Sequence, residues 1–396
     1  MEGNQTQSVT REGELVQSEH RALRIGVVGC GNISAIYMHN AKMFQRLEMV
    51  ACADLRAEAA DARAAEFGLR AMDVDDIFDA EDIDLILNLS VPNAHHEVSM
   101  RAIRAGKHVF TEKPLCASTT EARELLDTAA AAGLAVGSAP DTFLGAAGRR
   151  ARALIDGGQV GQIVTGTAFM LGRGMEHWHP SPAFYYQPGA GPVLDMGPYY
   201  LTMLVHLLGP VRAVTAATSF GSKQRTITAE GPLQGTSFDV GTPTTALSLL
   251  EFASGTIVTF SASWDVHRHS NMPIELHGTS GSLRLPDPDN FGDIVAFSPA
   301  GGAWEEHLSE GTPFGTTNYP FDKPDRANYR ALGLAEMAEA LDHGRTPRAG
   351  GELAFHVLEV LEGILLSGER QARVEIASAP HQPAALDVEA ATGLLR

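Results

Sequence analysis

The sequence predicts an α/β protein in which a doubly wound parallel sheet is followed by an α+β region with a largely antiparallel, open sheet. In residues 23–143, strand-like and helix-like segments alternate and glycine follows several helices, a pattern typical of parallel strands joined by right-handed crossovers. Later β-type runs are separated by short glycine turns, which suits hairpins. A chain of 396 residues is too long to form one compact core, so we expect two domains, 23–143 and 144–396. The polar tail at 1–22 is expected to be disordered.

The composition argues against several classes of protein. A formal net charge of −18 is unsuited to a nucleic-acid partner, whose phosphates are neutralised by Lys and Arg. No apolar run is long enough for a membrane helix, and the polar N-terminal residues lack the apolar segment of a secretory signal. The three cysteines, Cys30, Cys52 and Cys116, have no C-x-x-C spacing and are expected to be reduced. We therefore expect a cytoplasmic enzyme with no membrane or nucleic-acid partner.

The stretch LRIGVVGCGNISAI at 23–36 predicts a strand, a tight glycine turn and the start of a helix. Such a turn lets the backbone approach a pyrophosphate, whose charge lies on the free N–H groups at the helix N-terminus. Ser34 replaces the third glycine of the G-x-G-x-x-G motif but is still small enough for close packing. The pattern is typical of a Rossmann dinucleotide-binding fold, with cofactor contacts predicted at Gly29, Gly31, Asn32 and Ile33; the alternative is a glycine-rich turn such as occurs in any α/β domain.

The second predicted strand ends at Asp54, close to the spacing of about 20 residues expected for a ribose-binding carboxylate. A carboxylate there accepts both ribose hydroxyls and repels a 2′-phosphate, which favours NAD over NADP. Arg56 could pair with such a phosphate, so NADP stays an alternative. Asp54 could also cap the helix that starts at Ala57.

The order of strands and helices in the first region predicts which residues lie together at the carboxyl ends of the strands. Its strands are expected at 24–29, 49–54, 85–89, 109–111 and 134–138, and its helices at 33–46, 57–67, 97–105 and 119–132. Ligands bind beyond the carboxyl ends of parallel strands, so we expect further cofactor contacts from Ser90, Pro92, Asn93, Glu112 and Lys113.

The second region is expected to contain β-type runs, covering helices and two long loops. The strands are predicted at 163–171, 211–220, 244–252, 256–264, 274–277 and 282–285, the helices at 147–156, 198–208, 330–342 and 350–367, and the loops at 221–243 and 286–325. Arg149 and Arg150 are interpreted as solvated charges on the first of these helices.

Two segments contain side chains suited to proton transfer. Lys113 follows a strand in the run Glu-Lys-Pro, where its ammonium can polarise a substrate hydroxyl; the alternative is a surface lysine. Asp195 and Tyr199 are four residues apart and share a face if the helix has begun by then. In that arrangement Tyr199 exchanges the substrate proton, Lys113 lowers its pKa from about 10 and Asp195 orients the substrate. The alternative is a helix cap at Asp195 and core packing of Tyr199.

The segment at 172–186 is dense in aromatic and imidazole side chains. Aromatic faces stack on sugar rings, and sugar hydroxyls need donors and acceptors. We therefore predict substrate contacts from Trp178, His179 and Tyr186, with Asp141 lining the same cleft. His177 and His179 lack the i, i+4 spacing of a helical metal pair, and no metal site is predicted. The alternative is an aromatic loop that packs on the sheet or on a partner subunit.

Together these motifs resemble the Gfo/Idh/MocA oxidoreductases, which include glucose-fructose oxidoreductase and inositol dehydrogenase. The resemblance extends over nearly everything after residue 22 and is carried in order by GVVGCGNIS at 26–34, SVPNAHHE at 90–97, AGKHVFTEKPL at 105–115, GAGPVLDMGPYY at 189–200 and GELAFHVLEVLEGILLS at 351–367.

The resemblance implies NAD(P)-dependent hydride transfer between nicotinamide and a secondary hydroxyl or ketone of a sugar, sugar derivative or inositol. It identifies Lys113 with the family's Glu-Lys-Pro lysine, Asp195 with its aspartate, and His96 with the cofactor-binding stretch at 90–97. Most members have histidine where this chain has Tyr199, whereas glucose-fructose oxidoreductase and the dihydrodiol dehydrogenases share the tyrosine. The open sheet of the family commonly forms subunit contacts, which implies a homodimer or homotetramer.

Two other functions remain open at this level. Some relatives hold NAD tightly and use a transient oxidation in redox-neutral glycoside processing. Others bind the dinucleotide without catalysis and act as regulators. The presence of Lys113, Asp195 and Tyr199 together favours a simple dehydrogenase.

Overall fold

The structure is a computed structural model that describes residues 21–396, so the predicted disordered tail lies almost wholly outside the described residues. The first region alternates strands and helices as predicted. Its elements are β1 (Leu23–Val28), α1 (Asn32–Ala41), β2 (Leu47–Ala53), α2 (Ala57–Phe67), β3 (Arg70–Met72), α3 (Asp76–Asp79), β4 (Leu85–Asn88), α4 (His95–Arg104), β5 (His108–Thr111), α5 (Thr119–Ala131) and β6 (Val136–Ser138).

The six strands form one parallel sheet in the order β3-β2-β1-β4-β5-β6. The chain moves outward from β1 on one side and then returns to continue from β4 on the other, so β1 and β4 are neighbours at the switch point. This confirms the predicted doubly wound sheet. The carboxyl ends of β1, β2, β4 and β5 meet at one edge, where an open α/β sheet binds its ligand.

The second region is built around a larger mixed sheet. Its elements are α6 (Ala146–Asp156), β7 (Ile163–Leu171), α7 (Gly191–Leu208), β8 (Val211–Ser219), β9 (Gln224–Thr226), β10 (Ser237–Asp239), β11 (Thr245–Phe252), β12 (Ile257–Ser263), β13 (Ile274–Gly278), β14 (Gly281–Leu285), β15 (Val295–Pro299), β16 (Glu305–His307), α8 (Leu332–Asp342), α9 (Gly351–Arg370), β17 (Val374–Glu375) and α10 (Val388–Gly393).

Nine of these strands pair in the order β16-β15-β14-β13-β7-β12-β11-β8-β17. All neighbours are antiparallel except β7 and β12, which run parallel, so the predicted largely antiparallel sheet is confirmed. Helices α7 and α9 pack on one face of this sheet. On the opposite face, Leu247, Leu249 and Ile257 are 54%, 47% and 47% exposed.

Four predictions for this region were wrong. The loop predicted at 221–243 contains the β9–β10 hairpin, and the loop at 286–325 contains β15 and β16. Helix α7 begins at Gly191 and passes through Pro198, which had been taken as its start because proline favours the first helical turn. Arg149 is buried and donates to the carbonyl oxygen of Pro313, so only Arg150 is a solvated charge.

Helix α1 joins the two sheets near their common edge. The carboxamide of Asn40 donates to the carbonyl oxygens of Asn328 and Arg330, at 2.9 and 3.0 Å. Residue 330 precedes α8, which follows β16 in the chain. The segment before α8 is thereby fixed to the helix that begins at the glycine turn. Within residues 21–396, no helix has the length and apolar character needed to cross a membrane.

Candidate active site

The glycine turn after β1 has two positions with different constraints. Gly29 has φ +104°, and a Cβ there would lie 2.5 Å from the carbonyl oxygen of Leu89, so only glycine fits. Gly31 precedes α1, which has no side-chain cap, and a Cβ added at Gly31 would meet no heavy atom within 4 Å. The open space beside uncapped N–H groups fits the pyrophosphate of a dinucleotide. Asn32 and Ile33 are the first two residues of this helix.

Asp54 lies at the end of β2, next to the same turn. Its carboxylate accepts hydrogen bonds from the backbone N–H groups of Cys30, at 2.8 Å, and Arg56, at 2.9 Å. The Arg56 side chain is exposed, with its Nε 3.7 Å from the carboxylate. Helix α2 starts after Arg56 and has no side-chain cap, so the structure does not support the helix-cap alternative for Asp54.

The ends of β4 and β5 are connected by a buried imidazole. The ring of His95 lies 3.1 Å from the carbonyl oxygen of Ser90 and 2.6 Å from that of Pro114. His96, which the sequence suggested for this region, lies against α5 with its Nε2 3.3 Å from Glu124. Two adjacent histidines at a helix start cannot be told apart from sequence spacing alone. Pro92 and Asn93 are exposed in a short 3₁₀ turn at the rim.

Glu112 fixes the backbone on which Lys113 is carried. Its carboxylate accepts hydrogen bonds from the hydroxyl of the buried Tyr37, at 2.8 Å, and from the backbone N–H of Lys113, at 2.9 Å. The contact with Tyr37 ties this strand end to α1. Glu112 therefore positions the catalytic candidate beside it.

Lys113 crosses from the parallel sheet to α7 and forms an ion pair with Asp195. Its Nζ donates to Asp195 Oδ1, at 2.8 Å, and to the Asp195 carbonyl oxygen, at 2.5 Å. Burial by itself lowers the pKa of Lys113, but Asp195, Tyr199 and Glu112 together outweigh it, and the pKa lies above its ordinary value. An ammonium has three donors, so one N–H remains for a substrate oxygen. The expected meeting of Lys113 and Asp195 is thus present.

Tyr199 joins this pair through its ring and not through its hydroxyl. Lys113 Nζ lies 5.4 Å from the centre of the Tyr199 ring. The phenol oxygen instead accepts a hydrogen bond from Arg330 Nη2, at 3.1 Å. Burial and then Asp289 raise the pKa of Tyr199 above 10, although Arg330 and Lys113 act to lower it. The expectation that Lys113 brings this pKa below its ordinary value was therefore wrong, because burial dominates.

The aromatic segment before α7 has an exposed part and a buried part. Trp178 is 55% exposed and meets His179 edge-on, with ring centres 5.3 Å apart. His179 also contacts Tyr185, at 5.5 Å. Tyr186 is fully buried, and its hydroxyl donates to Glu176 and accepts from the backbone of Met175, so it packs in the core and does not line a cleft.

The adjacent Tyr185 lies nearer the surface than Tyr186. It is only partly buried, and burial followed by the Asp195 carboxylate raises the pKa of its phenol, which places it near the Lys113–Asp195 pair. The sequence did not distinguish these adjacent tyrosines because both lie in one irregular segment.

Asp141 also differs from its predicted role. It is 1% exposed, and its carboxylate accepts a hydrogen bond from the backbone N–H of Gly333 at the start of α8, at 2.8 Å. Burial raises its pKa to about 6, against the lowering by that hydrogen bond. Asp141 therefore lies behind the cleft and fixes α8.

A buried arginine holds the aromatic segment in place. Arg225, on the β9–β10 hairpin, donates to Glu176 at 2.6 Å and also pairs with Asp265. Because the hairpin was predicted to be a loop, this clamp could not be anticipated from the sequence.

The sequence also missed the partner of the phenol. Arg330 is buried and donates to Asp289 Oδ1, at 2.8 Å, in addition to Tyr199. Asp289 lies within the segment predicted to be a loop, and Arg330 had been placed at a helix start. No motif marks either residue.

Comparison with known proteins agrees with this geometry. Residues 23–139 match the description "Oxidoreductase family, NAD-binding Rossmann fold", and residues 149–284 match "GFO/IDH/MocA C-terminal domain". The chain belongs to the GFO/IDH/MocA oxidoreductase family. Its N-terminal sheet is accordingly an NAD-binding Rossmann fold, and the protein is an NAD(P)-dependent oxidoreductase.

Curated relatives of this GFO/IDH/MocA protein include enzymes of sugar chemistry. It is 26% identical over 337 residues to 1,5-anhydro-D-fructose reductase of Ensifer adhaerens, covering 83% of this chain and 91% of that one. It is 29% identical over 360 residues to dTDP-3,4-didehydro-2,6-dideoxy-alpha-D-glucose 3-reductase of Streptomyces violaceoruber, covering 89% and 96%. The fold is similar to that of levoglucosan dehydrogenase in complex with NADH, with a TM-score of 0.76, 21% identity and coverage of 90% and 100%.

Proposed function

We propose that the protein is an NAD-dependent dehydrogenase or reductase that acts on a secondary hydroxyl or ketone of a sugar, sugar derivative or cyclitol. Lys113, Asp195 and Tyr199 are its catalytic residues. The observation that carries this proposal is the Lys113–Asp195 ion pair, which joins the end of β5 to α7 beneath the Tyr199 ring. The ammonium follows β5 and the carboxylate and phenol lie on α7, which supports a site at the edge where a parallel sheet binds its ligand.

Bound NAD supplies the hydride acceptor or donor, and the side chains handle the oxygen of the substrate. The third N–H of Lys113 donates to this oxygen and stabilises the negative charge that develops on it. Asp195 keeps the ammonium charged and oriented. Because the pKa values of Lys113 and Tyr199 are both raised, each carries its proton at neutral pH, which suits proton donation during ketone reduction.

The glycine turn and Asp54 support NAD as the cofactor over NADP. The Asp54 carboxylate is fixed by two backbone N–H groups at the end of β2, where it accepts ribose hydroxyls and repels a 2′-phosphate. The Arg56 guanidinium, the competing charge that the sequence suggested, is exposed, with its Nε 3.7 Å from the Asp54 carboxylate. Gly29, Gly31, Asn32, Ile33, Ser90, Pro92, Asn93 and Glu112 are proposed to complete the cofactor site.

The aromatic segment supports a carbohydrate or cyclitol as the substrate. Tyr185, His179 and the exposed Trp178 form a connected series of ring contacts that begins near Asp195. Such rings stack on the C–H faces of a sugar, and imidazoles form hydrogen bonds with its hydroxyls. The names of the curated relatives point to the same class of substrate.

The remaining proposals concern assembly and location. The apolar outer face of the nine-stranded sheet, formed by Leu247, Leu249 and Ile257, supports a homodimer or homotetramer. We further propose a cytoplasmic enzyme with no nucleic-acid partner and a domain division near residue 143.

The test is a screen of monosaccharides, glycosides and inositols in which NADH absorbance is followed, with NAD and NADP in parallel. At least one free sugar or cyclitol should give steady NADH formation, with a higher kcat/KM for NAD than for NADP. Turnover without net NADH, together with cofactor retained through purification, would instead indicate redox-neutral chemistry. Binding of NAD without turnover of any substrate would indicate a regulator.

A further inference from the structure

The phenol of Tyr199 has a cationic partner other than the lysine. Arg330 Nη2 donates to the Tyr199 oxygen at 3.1 Å and to Asp289 Oδ1 at 2.8 Å, while Arg330 Nη1 donates to Asn328 Oδ1 at 3.0 Å. The guanidinium is buried, and the Asn40 carboxamide holds its backbone carbonyl. Its position is therefore set by residues of α1, of the segment after β14 and of the segment before α8.

This contact determines whether the Tyr199 hydroxyl donates or accepts a hydrogen bond. A guanidinium has donors only and keeps its charge at every accessible pH, so the Tyr199 oxygen is the acceptor in the pair. The phenol O–H must then point to another acceptor. Lys113 offers none, since an ammonium also has donors only. The arrangement leaves the phenol hydrogen available to a substrate oxygen.

We propose that Arg330 is the positioning residue of the reaction, which presents the Tyr199 hydroxyl as a proton donor and stabilises its phenolate. This inference rests on the proposed function. In ketone reduction, hydride adds to the carbonyl carbon, the C=O π pair moves to oxygen, and that oxygen takes the Tyr199 proton. The resulting phenolate keeps its hydrogen bond from Arg330. Oxidation of the alcohol follows the same steps in reverse.

The charges around the phenol fit this role. Glu112 and Lys113 act on it from the segment after β5, Asp289 from the segment after β14, and Arg330 from the segment before α8. Asp289 pairs with Arg330 and thereby compensates the buried guanidinium. Lys113 thus lies near the Tyr199 ring and Arg330 contacts the phenol oxygen, and each cation has its own carboxylate, Asp195 and Asp289.

The experiment is a double-mutant cycle on the full chain, measured in the oxidation direction. Arg330→Met should lower kcat about 10–100-fold, the cost of losing a charged hydrogen bond in the transition state, and leave KM for NAD unchanged. Because the phenolate accepts the substrate proton in this direction, kcat rises with pH as the phenol loses its proton, and this rising limb should move to higher pH in Arg330→Met. In a Tyr199→Phe background, Arg330→Met should cause no further loss. Arg330→Lys, which keeps a charge but loses the fork geometry, should give an intermediate loss.

Matched controls separate this role from general damage to the fold. Arg150→Met removes an exposed arginine, and Tyr200→Phe removes the adjacent buried hydroxyl, which donates to the Phe169 carbonyl. Both should retain the wild-type pH profile. An unchanged limb in Arg330→Met, or an equal loss with and without Tyr199, would overturn the inference.

A second readout does not depend on turnover. With ¹³Cζ-labelled tyrosine, the chain has seven resonances, and Tyr199→Phe assigns the relevant one. This resonance should shift in Arg330→Met and stay in place in Arg150→Met. A resonance unmoved by Arg330→Met would contradict the contact. If no sugar is turned over but the resonance shifts, the proposed function fails while the hydrogen bond to Tyr199 stands.

Discussion

Lys113 is the residue whose chemistry is most sharply determined by its contacts. Two of its three N–H groups are held by the side chain and the carbonyl of Asp195, so its direction is fixed before substrate binds. Fixed donors stabilise developing negative charge at little reorganisation cost.

Replacing this lysine tests the assignment directly. Lys113→Met should lower kcat by about 10²–10³-fold, the range found when one donor to a developing oxyanion is removed. The affinity for NAD, measured by fluorescence titration, should change little. Lys42→Met, which removes an exposed lysine at the end of α1, is the matched control and should retain activity. Retained activity in Lys113→Met would contradict the catalytic role of this lysine.

Asp141 makes the stability of the fold depend on pH. Its folded-state pKa of about 6 exceeds the ordinary value of 3.8, so the folded protein binds more protons in this interval. The stability contributed by protonated Asp141 is complete below about pH 4 and is lost as the pH rises through about 6, a change of about 3 kcal/mol.

Asp141→Asn should remove this dependence, because the amide does not ionise and can still accept from Gly333. Urea unfolding between about pH 4 and pH 7 measures it, and the stability of the variant relative to wild type should increase with pH. Parallel stability curves for the two proteins would show that Asp141 does not titrate in this range.

The site residues that were predicted from the sequence are positioned by local structure, whereas those that were missed are positioned by tertiary contacts. Lys113 follows a strand end, and Asp195 and Tyr199 are one helical turn apart, so local patterns place all three. Arg330 is 131 residues from Tyr199 in the chain and reaches it only through tertiary packing. Likewise, no spacing rule shows which of Tyr185 and Tyr186 turns inward.

At the scale of elements, two glycines of the turn between β1 and α1 have different roles: Gly29 is needed for folding, and Gly31 leaves room for the cofactor. Gly29→Ala should destabilise the fold by about 1–2 kcal/mol or more, because its positive φ and the close Leu89 carbonyl both oppose a Cβ. Gly31→Ala meets open space and should keep the melting temperature near that of wild type. The added methyl faces the proposed pyrophosphate site, however, and should weaken NAD binding.

Thermal melting and NAD titration on both variants measure these effects. Tight NAD binding by Gly31→Ala would mean that the space beside α1 does not hold the cofactor.

Element prediction succeeded where a segment is long and buried on one face. The strand predicted at 163–171 is β7 to the residue, since nine residues give a clear alternation. The strands β9, β10 and β16 have three residues each, too few for a periodic signal, and they lie in polar, glycine-rich segments. The start of α7 was misplaced because proline inside a helix is rare, although here it is tolerated.

At the scale of the whole molecule, the uncovered face of the nine-stranded sheet predicts self-association. A variant with both Leu247→Glu and Leu249→Glu should elute at the mass of one chain, because two carboxylates cannot be buried unpaired at an interface. Leu233→Glu, an exposed leucine in the β9–β10 hairpin, is the control and should keep the wild-type mass. Light scattering after size exclusion measures this, and a single-chain mass for wild type would contradict the proposed oligomer.

The general arrangement of two sheets was predictable from periodicity, whereas the way they join was not. Hydrophobic alternation gives the type of each element, but the site depends on contacts between residues far apart in the chain, such as Lys113 with Asp195 and Arg330 with Tyr199. The domain division near residue 143 stays a prediction.

The carboxamide of Asn40 has a practical consequence for recombining this enzyme with its relatives. Both of its N–H groups satisfy carbonyl oxygens of the segment that carries Arg330. A chimera that took its nucleotide-binding half from a relative with an apolar residue here would leave two acceptors without donors, at a cost of about 1–3 kcal/mol each. Swapped halves should therefore be chosen with asparagine retained at position 40.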